Sequence, residues 1–144
     1  MTSLIERARA HHPGVAITDL GQLRAALQTA IELEHSTIPP YLCALYSIEP
    51  GHNVEAAAII QSVVMEEMLH LVIAANLLNA IGGAPDIDRP DFIPRYPATL
   101  PHSDGRVVLE LLPFSPQAIA GFLRVERPEP PARRPRAEGY HTIG

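Results

Sequence analysis

The chain has 144 residues, 47% of them apolar and 19% charged, with a mean hydropathy of +0.07. That is enough for one domain with a core of ordinary size, and it excludes a disordered tail and an ordinary membrane-protein composition. All 11 basic residues are arginine and 16 acids outnumber them, a net charge of -5 that excludes a general nucleic-acid surface.

Cys43 is the single cysteine, so no intramolecular disulfide and no cysteine-rich zinc site is expected. Residues 1–14 hold no apolar run of signal-peptide length. The expected location is the cytoplasm. Residues 1–17 read as an N-terminal extension and 18–144 as the domain. Only 4 of the 15 prolines lie in residues 1–84 and 11 lie in 85–144, so a helical first part (hairpin 19–82) precedes a proline-rich connection (84–144).

Asp19, with Gln22 three residues on, has capping-box spacing and starts the first helix. Leu20, Leu23, Leu27, Ala30, Glu34, Ile38, Tyr41 and Leu45 then recur at helical steps as a core-facing stripe. Pro39-Pro40 removes the amide bonds to the carbonyls of His35 and Ser36 and predicts a kinked helix, or else two consecutive helices. After a turn at Pro50-Gly51, Asn53 caps a second helix that runs to about Ile81 and stops at Gly82-Gly83. Its stripe is Ile60, Val63, Glu67, His70, Ala74, Leu77 and Ile81. The helix is apolar enough to raise a transmembrane reading, which Glu66, Glu67 and His70 at its middle exclude, so no membrane partner is expected. Further on, Asp104-Gly105 reads as a turn, residues 107–111 as a strand, and Ser115-Pro116 as the start of a short helix stapled by Phe114 and Ile119. Residues 127–136 read as linker.

A buried carboxylate needs compensation, so Glu34 and Glu67 within apolar stripes point to a shared metal ion. The two positions are symmetric about the Pro50-Gly51 turn, so an antiparallel hairpin puts both at one level, roughly 24 Å from it. His70 lies one turn beyond Glu67 on the same face. Glu34, Glu67 and His70 are therefore the candidate metal ligands, and oxygen donors with one imidazole suit iron or manganese, with zinc also open. The Glu-x-x-His spacing recurs well above the roughly 0.5 matches that composition predicts, so position decides. Glu138/His141 falls in the proline-rich tail. Glu32/His35 lies on what reads as a solvated face, with His35 at the surface or beside a ligand. Glu66 reads as a flanking acid and Cys43 as a small buried side chain. Tyr41, two turns from Glu34, stands near the site as a core residue or as a candidate catalytic residue for proton or radical chemistry.

Residues 30–42 (AIELEHSTIPPYL), 65–71 (MEEMLHL), 74–83 (AANLLNAIGG), 112–115 (LPFS) and 139–144 (GYHTIG) resemble the ferritin-like domain of the iminophenyl-pyruvate dimer synthase family. The resemblance spans roughly residues 18–144. It implies a mainly α, ferritin-like helical bundle of which this chain carries the first hairpin, ending before the third bundle helix. It also implies a di-metal centre, iron or manganese, that activates oxygen or peroxide beside a small aromatic imine substrate. Glu34, Glu67 and His70 correspond to half of such a centre, the other half coming from a missing C-terminal part or a two-fold homodimer. The other readings are a non-catalytic helical module with a buried Glu/His network, and metal storage or peroxide disposal. Because the second helix is apolar nearly all round, the chain alone is expected to dimerise or aggregate, with the connection covering one side of the hairpin.

Overall fold

The computed structural model describes residues 17–102, 105 and 107–127. Two 27-residue helices, α1 (Leu20–Tyr46) and α2 (Val54–Ala80), pack antiparallel. They are followed by a two-stranded ribbon of β1 (Ala98–Thr99) and β2 (Val108–Leu109), and by α3 (Pro116–Val125).

At the start of α1 the Asp19 side chain accepts from the Gln22 amide at 2.8 Å. Gln22 Oε1 accepts in return from the Thr18 amide at 2.9 Å, one residue earlier than in the usual reciprocal cap. The helix then runs unbroken through Pro39 and Pro40 as one element, so the two-helix alternative does not hold. The connection supplies part of the reason. Tyr96 donates its hydroxyl proton to the Ser36 carbonyl at 2.8 Å, the acceptor that Pro40 leaves without an amide. Burial pushes the Tyr96 phenol up to about 12, so it remains a donor across the working range. Tyr96→Phe should therefore lower the urea-unfolding free energy by about 1–3 kcal/mol, the cost of stranding a buried carbonyl. An unchanged midpoint would show that the proline pair needs no outside donor.

Asn53 precedes α2 in a left-handed conformation (φ 46) and makes no side-chain bond to the helix, so it does not cap as expected. Past the other end, Gly82 takes a φ of +72, where a side chain is strained, and the Gly83 amide donates to the Leu78 carbonyl at 2.9 Å. Arg24, near the start of α1, donates through Nε and Nη2 to the Ile81 carbonyl at 3.2 and 2.7 Å. This closes the open end of the hairpin.

The core lies in two blocks along the hairpin. Ala30, Ile31, Ala74, Leu78 and Phe92 form one, at the Arg24 end. Ile38, Tyr41, Ile60 and Val64, flanked by Phe114, Ile119 and Phe122, form the other. The buried line of α2 is Ile60, Val64, Glu67, Ala74 and Leu78, with Leu77 about half exposed. The predicted stripe drifted to the flank at Leu77 because a seven-residue step falls short of two full turns, whereas the line facing α1 advances by four from Ala74. Leu20, in the first turn of α1, is also about half exposed.

The connection covers α1. Phe92, Tyr96 and Arg89 lie against its middle, which is why α1 is buried on more than one side. The expected strand 107–111 is reduced to Val108 and Leu109, paired antiparallel with Thr99 and Ala98. Ser115 caps α3 by accepting from the Ala118 amide, with Pro116 at its first position. Asp104, residues 128–136 of the linker, and residues 1–16 of the N-terminal extension lie outside the described residues. The far side of α2 is exposed and apolar, with Met65, Leu69 and Val72 each more than half exposed. By length and composition alone α2 could cross a membrane, but its middle turns Glu67 into the hairpin.

Candidate metal centre

Between the two core blocks, α1 contributes Glu34 and α2 contributes Glu67 and His70 at the same level of the hairpin. The helical periods place them there: Glu34 lies between Ala30 and Ile38 on α1, and Glu67 between Val64 and Leu71 on α2. Both glutamates are 1% exposed. His70 Nδ1 stands 3.6 Å from Glu34 Oε2 and 3.9 Å from Glu67 Oε1. One donor atom from each residue lies within 4.8 Å of the others, and this is the group of three such side chains that converges among the described residues.

The contacts from His70 are too long for hydrogen bonds, and its Nδ1 is buried without a hydrogen-bond partner. Bonds of roughly 2.1 Å to one ion leave its ligand atoms about 3–4 Å apart. The separations between the three donor atoms therefore fit a divalent metal ion. Two carboxylates and one imidazole form a hard donor set suited to iron or manganese. Two ionised carboxylates at this depth are costly without a cation.

Thr37, which sequence reasoning missed, joins this group. Its hydroxyl is 2.8 Å from Glu67 Oε2 and 2.8 Å from the Glu34 carbonyl oxygen, and the residue is buried. The signal was present, since Thr37 follows Glu34 by three residues and so lies one turn along the same face.

The other candidates are placed elsewhere. Glu66 is exposed. Glu32 is not on a solvated face: Arg89 Nη2 donates to it at 2.7 Å, Gln28 at 3.2 Å, and His102 Nε2 stands 2.6 Å away. Burial raises the Glu32 carboxyl, but the bonds from His102, Gln28 and Arg89 together with the Arg89 charge outweigh it and hold the group below its ordinary value. The prediction failed there because Arg89 and His102, which cover Glu32 together with Gln28, come from the connection, more than fifty positions away in sequence. His35 lies against Phe92 with ring centroids 4.5 Å apart, and burial pushes its imidazole below the usual histidine range. Cys43 is a half-buried free thiol. Glu138 and His141 lie outside the described residues. Tyr41 is buried with its ring on Phe122, and its hydroxyl donates to Glu126 Oε1 at 2.7 Å. Sequence reasoning had not paired it with Glu126.

No curated protein and no solved structure gives a significant match to the chain. The family model described as Ferritin-like matches residues 27–143, a stretch that begins in α1 and includes Glu34, Glu67 and His70. With that match over most of its length, a helical hairpin and a carboxylate–histidine group between the helices, the chain belongs to the Ferritin-like family.

Proposed function

We propose that the chain is an oxidative ferritin-like domain whose Glu34, Glu67 and His70 hold iron, with manganese as the alternative ion, for the coupling of small aromatic imines of the arylpyruvate type. The observation that carries this reading is the convergence of three ligand atoms between the two apolar core blocks of the hairpin. The metal, when bound, supplies one-electron redox chemistry toward dioxygen or peroxide. Joining two imine units removes two electrons and two protons, which the oxidant accepts. Glu34 and Glu67 bind through oxygen and fix the charge of the site. His70 binds through Nδ1, and the apolar blocks on either side restrict water. Tyr41 with Glu126 forms a proton-bearing pair in the adjoining core block. Protein loaded with iron(II) should consume oxygen and convert an arylpyruvate imine to its coupled dimer, read by mass spectrometry. Oxygen uptake without coupling would favour metal storage or peroxide disposal.

A second copy about a two-fold axis would bring a second set of Glu34, Glu67 and His70, one source of the ligands that a di-metal centre needs. The side of α2 that carries His70 supports this pairing, because Ile59 and Leu77, three turns before and two turns after it, are exposed apolar residues. Light scattering should give a dimer whose melting temperature rises with iron. Leu77→Arg should convert it to a monomer. A monodisperse wild-type monomer would contradict the pairing.

A further inference from the structure

Thr37 bears on how Glu67 binds a metal, a role that rests on the proposed metal site. The Thr37 hydroxyl carries one proton and faces two acceptors at equal distance, Glu67 Oε2 and the Glu34 carbonyl. A bond to an ionised carboxylate is roughly twice as strong as one to a neutral carbonyl, so the proton belongs on Glu67. The other oxygen, Oε1, lies on the His70 side, 3.9 Å from Nδ1. Thr37 is itself buried, and as a β-branched residue in a helix its side chain has little rotational freedom. We propose that Thr37 is a positioning residue: by holding Glu67 Oε2 it fixes the rotation of the Glu67 carboxylate, with Oε1 on the His70 side.

The sequence pattern is consistent with this division of labour. Glu34 and Thr37 stand one turn apart on α1, as Glu67 and His70 do on α2, so each helix presents a pair toward the other. A hydroxyl fixed on one oxygen sets the rotation of the carboxylate. Without it, Glu67 can turn away from the orientation that faces His70.

The test uses cobalt(II) as the probe on the full chain, with Thr37→Val removing the hydroxyl at nearly constant shape and Thr37→Ser retaining it. Affinity is read by competition with a chelator and the ligand arrangement by the visible bands of cobalt(II), which respond to coordination geometry. Thr37→Val should bind cobalt about 10-fold or more weakly, the scale of losing a group that orients a ligand, and its bands should shift. Thr37→Ser should restore both. Wild-type affinity and bands in Thr37→Val would overturn the positioning role while leaving the metal reading intact. Equal losses in Thr37→Ser and Thr37→Val would overturn it too, by assigning the effect to packing. A wild-type chain that gives no cobalt bands would overturn the metal reading, and the positioning role with it.

Discussion

Glu67→Ala and His70→Ala should each weaken iron(II) binding by more than about 100-fold, since groups that merely orient a ligand are worth about 10–100-fold. Glu66→Ala and Glu32→Ala should leave binding close to wild type, because Glu66 is exposed and Glu32 is occupied by Arg89, His102 and Gln28. Elemental analysis after dialysis gives the comparison. The apo proteins separate a metal site from a structural network. If Glu34, Glu67 and His70 serve only to hold one another, removing one partner should cost about 3–5 kcal/mol, as it does for a buried ion pair. For a metal site the relief of removing one of two buried carboxylates offsets the cavity and the lost Thr37 bond, so the stability of apo Glu67→Ala, read by thermal melting, should fall by much less than that. A large loss of apo stability with iron binding unchanged would return the site to the structural reading.

The second large effect concerns the core that positions these ligands. Ile31 is fully buried in the block formed with Ala30, Ala74, Leu78 and Phe92, where both long helices and the connection meet. Ile31→Ala removes three carbons from a site closed on every side, and should cost about 2–5 kcal/mol in urea or thermal unfolding. Leu69 is 56% exposed on the far side of α2, and Leu69→Ala should stay within about 0.5 kcal/mol. Both side chains are large aliphatics on helices of the same hairpin, so the contrast isolates burial. Equal costs would mean that the outer side of α2 is covered by another surface.

The hairpin and its ligands were legible because both depend on local periodicity. Glu34, Glu67 and His70 stand out as polar positions in apolar stripes, and the Pro50-Gly51 turn sets the helices in register. Asp19 and Ser115 also act as caps, since a side-chain oxygen and an amide three residues later need no distant partner. What escaped the sequence was contact across distance. The environment of Glu32 depends on Arg89 and His102, the continuity of α1 at its proline pair on Tyr96, and the hydrogen bond of Tyr41 on Glu126. All four partners lie in the proline-rich connection, whose path carries no repeat that fixes where it crosses the hairpin. The drift from Leu77 to Leu78 has another origin, in the mismatch between a seven-residue step and 3.6 residues per turn.

Whether Glu34, Glu67 and His70 close on one ion between two helices is tested most directly by anomalous diffraction at the iron edge, from crystals grown with iron(II). An iron peak is expected within about 2.0–2.3 Å of an oxygen of Glu34, an oxygen of Glu67 and Nδ1 of His70. An iron-loaded crystal with no peak between these three side chains, or with its peak at Glu32 and His35 instead, would contradict a metal centre in the hairpin.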